Sequence, residues 1–488
     1  MNSIEPVSAP AAANKVLMWG GLALIGAAVI SGLIKPLMTL ARYVPLDPNE
    51  GWNAFYAQIA MRGGEMYPAA SSAIINNYPP LSFYIVGVVG RLVGDNIIAG
   101  RVVSLASMLI VAGNVFAWLR AGGSSRQVAW LGAGVVLAFA VTYARSYAAM
   151  NDPQWLAHAL MTTGLVVIWR GNASTRAILM GSALMLAGGW TKHLLICLPA
   201  ATTWWLMRRS RRAFLTWIAC SAVLLALTGL LVWWLYGAVF FHDLIFAREY
   251  SWHQAFKDTG AAVKCFAPIV LLALLLLPHA RRSERTEFAA VYLAVAAVVA
   301  AVASGGVGVD INKYFDFLIA ATLCAALEVE WLWTRRLPGS LRTLQFGPAL
   351  TLMLGVYLGA YAVSLLPGAL RDVRGLDALE KQTLIDTRLI ASLGQGRAAC
   401  DSLELCYWGK SEFLLDAFDY GQKLILGQEP ISACATVFDG RRILLLQQDP
   451  SEAGGSVFLP EACNKLIQKN YHPVSMSTLG VFLVPSNL

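Results

Sequence analysis

Eleven apolar runs, broken by short polar connections, limit what this chain can fold into. They cover residues 16–38, 99–119, 128–144, 154–169, 177–191, 194–207, 214–235, 264–279, 288–303, 315–334 and 345–366. The hydrocarbon core of a bilayer is about 30 Å thick and takes roughly 20 apolar helical residues to cross. Hydrophobic residues make up 57% of the 488, charged residues 14%, and mean hydropathy is +0.58. The chain therefore reads as mainly α, a polytopic helical membrane protein of about eleven spans. The opening "MNSIEPVSAPAAANK" has no basic start followed by a short apolar core and a cleavage site, so Val16 to Met38 reads as a retained first span.

Basic residues set the direction. Lys and Arg number 37 against 29 Asp and Glu, a net charge of +8. They cluster in every second connection: "LRAGGSSRQ", "WRGNASTR", "MRRSRR", "ARRSERTE" and "TRRLPGSLR", the last ending at Arg342. That is the positive-inside pattern, which puts the five clusters and the N-terminus in the cytoplasm and leaves no need for a nucleic-acid partner. Residues 40–98 become one long external loop, with Pro80 to Val93 as a helix at the outer interface.

The character changes after Leu366. Residues 367–488 are charged and mixed, with short β-type runs such as "RRILLLQQD" and "GVFLVP", and read as a small α/β domain outside the membrane. Cys400, Cys406, Cys434 and Cys463 lie there, and four cysteines in an oxidising compartment point to disulfides. Of the three connectivities, Cys400 with Cys406 and Cys434 with Cys463 is the one taken; a zinc site is the competing idea.

Under this topology the polar groups that need explaining gather on the external side: Asp47 and Glu50, "NNYPP" with Asn77 and Tyr78, Arg145 and Asp152, Lys192 and His193, Arg248 and His253, and Asn312, Lys313 and Tyr314. Taken singly, each has a plainer reading as a solvated loop charge, a snorkelling lysine, or an Arg145–Asp152 capping pair. External cations nevertheless run against the positive-inside bias, and a phosphate at the membrane surface would account for them. A nearby carboxylate could then take a proton from an attacking hydroxyl.

"DPNEGWNAFYAQIAMRGGEMYP" followed by "NNYPPLSFYIVG" resembles the first external loop of GT-C superfamily membrane glycosyltransferases, in particular the glycosyltransferase family 39 or protein mannosyltransferase-like group. "MNDPQWLA", "GGWTKHLLICLPA" and "DINKYFDFLIA" extend the likeness over most of residues 1–366. The resemblance implies a GT-C catalytic domain that moves a sugar from a polyprenyl-phosphate monosaccharide, with inversion, to the hydroxyl of a glycolipid, polysaccharide or protein acceptor. Asp47 is favoured as base, with Glu50 positioning the acceptor or sharing the role. Arg145, Lys192, His193 and Lys313 would hold the donor phosphate. Asn53, Tyr56, Asn77, Tyr78, Asp152, Asn312 and Tyr314 would line the substrates, and Asp152 would be the residue for an optional divalent metal. A bacterial inner membrane with a periplasmic tail is the expected location. A transporter or flippase for a polar or lipid-linked substrate is the alternative function.

Overall fold

The structure is a computed structural model that describes residues 9–69, 71–333, 335–338, 344–450 and 455–486. The expectations for the first eight residues and for Arg342 lie outside the described residues.

Every expected run coincides with a helix over most of its described length. Helix α1 (Ala9–Thr39) leads into the long loop, which holds α2 (Pro48–Arg62) and α3 (Leu81–Val93). Then follow α4 (Asn96–Ala121), α5 (Arg126–Tyr143), α6 (Gln154–Arg170), α7 (Thr175–Thr191), α8 (Cys197–Arg209) and α9 (Arg211–Leu244). Helices α10 (Trp252–Cys265), α11 (Ala267–Leu276), α12 (Glu284–Ala303), α13 (Phe315–Leu332) and α14 (Phe346–Gly394) complete the bundle.

Six helices among the described residues are long and apolar enough to cross a bilayer alone, or seven if one bent pair counts as a span. The others fall short for local reasons: α6 and α7 have 17 residues each, α8 has 13, and α13 carries Asp316, Glu328 and Glu330. The run expected at 264–279 is not one straight rod. It starts at an 86° bend between α10 and the α11 segment, where Pro268, lacking an N–H, opens the new helix.

Helix α9 shows what solvent this fold expects. Leu230 is 67% and Trp234 78% exposed there, a cost in water that disappears in hydrocarbon.

The two ends of the bundle differ in chemistry. At one end Arg285 pairs with Glu330 at 3.1 Å and Arg208 with Glu287 at 3.5 Å. Arg209 joins Glu284 and Asn172 there, and Ser124 donates to Glu330 at 2.9 Å. Four of the five basic connections thus touch one another. Four of the helices that leave this end, α5, α7, α9 and α12, each start on a serine whose hydroxyl caps the first turn: Ser125, Ser174, Ser210 and Ser283.

Helix α14 runs unbroken through residue 366, where the domain boundary was expected, and carries the chain out to Gly394. The tail beyond it is a four-stranded sheet of β1 (Ala398–Cys400), β2 (Leu445–Gln448), β3 (Tyr471–Ser477) and β4 (Gly480–Pro485), in the order β1-β2-β4-β3. The first pair is parallel and the others are antiparallel. Helices α15 (Leu403–Trp408), α16 (Ala417–Ile425), α17 (Cys434–Val437) and α18 (Glu461–Asn470) accompany it. Cys400 is bonded to Cys406 and Cys434 to Cys463.

Candidate active site

The site lies at the end away from the basic connections, where α2 starts. Asp47 is its N-cap: extended backbone, a side chain accepting the Asn49 N–H at 3.0 Å, and Pro48 with φ preset for the first turn. Burial, reinforced by the charges of Glu50 and Asp152, pushes the Asp47 carboxyl up to about 6.

Glu50, three residues on, is fully buried and faces the protein. Its carboxylate takes two bonds from Arg101 of α4, at 2.9 and 2.5 Å, and one from the Asn151 N–H at 2.9 Å. Arg101 gives its remaining donors to the carbonyls of Thr39, Arg42 and Val44. One guanidinium therefore ties the end of α1, the loop and α2 to α4. This occupies Glu50 structurally and leaves Asp47 as the carboxylate free to accept a proton.

A second group stands beside the first. Asp152 accepts the Gln154 N–H at 2.8 Å and lies 3.7 Å from the Lys192 ammonium. Lys192 ends α7, is buried, donates to the Tyr78 hydroxyl at 3.2 Å and sits 4.6 Å from that ring's centre. Burial works to discharge Lys192, but Asp152 and Tyr78 outweigh it and hold the ammonium protonated. Asn53 donates to the Asn151 carbonyl at 2.9 Å and so joins the two groups. A small crevice beside Asp152 is lined by Asn53, Phe83, Val86, Gly100, Asn151 and Leu156. Burial, then the charges of Asp152 and Asp310, push the Tyr147 hydroxyl up.

Other expected residues are elsewhere or engaged. Lys313 pairs with Asp258 at 2.9 Å, and the Tyr314 hydroxyl bonds that of Ser304 at 2.6 Å. Among the described residues Asn312, Asn77 and Arg145 have no side-chain hydrogen bond, so Arg145 does not cap with Asp152. The Tyr56 hydroxyl is buried without a partner, and its ring lies 5.5 Å from Phe413 of the tail. Burial and the neighbouring Lys192 hold the His193 imidazole down to about 4. Among the described residues no three His, Cys, Asp or Glu side chains are arranged to hold a metal, and Asp152 is already engaged. Arg101 and Glu404, the latter reaching this site from the tail, were absent from the sequence reading. An arginine in the first turns of an apolar span is the signal that could have pointed to Arg101.

No known family profile and no curated protein sequence matches the chain. Solved structures do resemble it. ArnT from Cupriavidus metallidurans bound to undecaprenyl phosphate aligns over 94% of this chain and 97% of its own, at 14% identity and TM-score 0.58. In its apo state the same protein gives 13% identity, 94% and 96% coverage and TM-score 0.59. The archaeal oligosaccharyltransferase AglB from Archaeoglobus fulgidus, in complex with an inhibitory peptide and a dolichol-phosphate, covers 92% of this chain and 72% of its own, at 11% identity and TM-score 0.50. With the bundle, the first loop and the tail sheet in place, the chain has the GT-C fold.

Proposed function

We propose that this protein is a membrane glycosyltransferase that moves a sugar from a polyprenyl-phosphate monosaccharide to an acceptor hydroxyl with inversion at the anomeric carbon. The observation that carries the reading is that Asn53 bonds the carbonyls of both Asn49 and Asn151, tying the turn that begins at Asp47 to the segment whose Asp152 lies 3.7 Å from the buried Lys192 ammonium. In the reaction the acceptor oxygen attacks the anomeric carbon as the bond to the phosphate oxygen breaks, and Asp47 takes the acceptor's proton. The electron pair stays on the leaving phosphate, where Lys192 offsets charge that is greater in the transition state than in the bound donor. Undecaprenyl phosphate in ArnT and dolichol-phosphate in AglB support a prenyl carrier here. The basic end is read as cytoplasmic, which puts the site and the tail in the periplasm of a bacterial inner membrane.

The test is transfer by the purified protein from radiolabelled undecaprenyl-phosphate sugars into an envelope extract. Asp47→Asn should lower kcat roughly 100- to 10,000-fold, the usual worth of a general base, with donor KM little changed. Glu50→Gln should instead remove one partner of a buried ion pair, cost about 3–5 kcal/mol and show first as lost folded protein. Undiminished product from Asp47→Asn would end the reading.

A further inference from the structure

The start of α2 carries the sequence of a capping box without its reciprocal bond. Asp47 is the N-cap, and Pro48, Asn49 and Glu50 are the first three helical residues. In a capping box the third residue's carboxylate reaches back to the N-cap N–H. Here Glu50 is turned into the Arg101 pair, and the acceptor for the Asp47 N–H comes from 357 residues along the chain: Glu404 Oε1, at 3.0 Å.

Glu404 is fully buried and held on several sides. Ser402 Oγ donates to its Oε2 at 3.1 Å, and the Ser402 N–H donates to Gln447 Oε1 on β2 at 3.0 Å. The Cys400–Cys406 disulfide closes the segment that carries it. The tail thus presents one fixed carboxyl to the backbone of the residue read as the base.

We propose that Glu404 is a positioning residue for Asp47, through which the C-terminal domain holds the half-buried base in place; this rests on the reading of Asp47 given above. Asp47 is faced by Asn49 and Glu50 from α2, by Asp152 from the segment before α6 and by Glu404 from α15, with Arg101 of α4 behind Glu50. Burial, then the charges of Glu50 and Asp47, lift Glu404 to about 8, so near neutral pH it is a neutral acid. An amide can take its place: the amide oxygen accepts from Asp47 and the amide nitrogen donates to Ser402. A side chain too short to reach Asp47 releases the loop and lets water reach the base.

The experiment measures kcat, donor KM and the pH dependence of kcat for the full-length protein with labelled undecaprenyl-phosphate sugar. Glu404→Ala should lower kcat roughly 10- to 100-fold, the scale of a small misplacement of a reacting group, with donor KM little changed. Its acid limb should move from near pH 6 toward the ordinary aspartate value of about 4, because hydration removes the burial that raised it. Glu404→Gln should restore most of the kcat and return the limb to near 6. A wild-type kcat and limb in Glu404→Ala overturn the proposal. So does a fall in active protein with the limb unmoved, the mark of a purely structural role. If Glu404→Ala does not fold, Glu404→Asp, one methylene too short, takes its place with the same expectations and the same overturning results. Full turnover by Asp47→Asn sinks the underlying reading, whereas a dead Asp47→Asn beside an unaltered Glu404→Ala sinks only this inference.

Discussion

Holding Asp47 ionised works against the fold, because the burial that lifts it to about 6 from an ordinary 3.8 disfavours the charged form. The folded state then binds more protons than the unfolded state between about pH 4 and 6, so stability falls as pH rises through that window. Above it the penalty is complete, at about 3 kcal/mol for a shift of this size. Asn caps a helix about as well as Asp, so Asp47→Asn removes the penalty and keeps the cap. It should melt several degrees above wild type at pH 7.5, with the gap closing as pH falls toward 4; equal melting at both pH values would mean Asp47 is not strained. Single residues were unevenly legible in the sequence. Asp47, Asp152, Lys192 and Tyr78 stood out because charges and aromatics beside apolar runs need a reason, and the fold brings them together. Glu404 carried no such mark: it lies in a charged tail where one more acid is ordinary, and only the distant Asp47 N–H gives it meaning.

Among elements, α2 is where the membrane bundle and the tail meet. An added Cβ on Gly51 would overlap the Leu403 carbonyl carbon and the Glu404 nitrogen, both backbone atoms that cannot swing aside. Around this contact Phe55 stacks on Phe413 at 4.8 Å, and the Trp408 indole donates to Asp95 at 3.0 Å. Gly51→Ala should improve α2 as an isolated helix by about 1 kcal/mol, so a loss of function would come from the seat of the tail. The variant should lose turnover and release a tail fragment under limited trypsin treatment that leaves wild type intact; unchanged resistance would mean α15 slides off α2 without consequence. The apolar elements were readable because long runs of Leu, Val and Ala bounded by Arg and Ser have few other fates in a bilayer. The α10–α11 bend was less so, although the proline at 268 was its visible cause. The tail sheet was half legible: β4 is apolar and β2 begins within an apolar Ile-Leu-Leu-Leu run, whereas β1 has three residues and β3 is polar, exposed and carries Pro473.

For the molecule as a whole, the decisive property is a polarity between two ends. Arg208, Arg209 and Arg285 and their acidic partners knit one end together. The tail covers the other, where Asp416 N–H donates to the Ala73 carbonyl at 3.0 Å and Arg248 pairs with Asp419 at 3.2 Å. Under the proposed function, a prenyl-linked donor and an acceptor outside the cytosol would require that second end to face out. Glu65, in the first loop, and Arg176, at the start of α7, are both exposed and lie at opposite ends. Glu65→Cys and Arg176→Cys can each be placed in a background whose free cysteines, Cys197, Cys220, Cys265 and Cys324, are changed to Ser. A membrane-impermeant maleimide should label the first in intact spheroplasts and the second only after permeabilisation. The reverse pattern would put the basic end outside, against the positive-inside bias, and would expose Asp47 to cytosolic acceptors; the site chemistry could survive that result, but the periplasmic assignment could not.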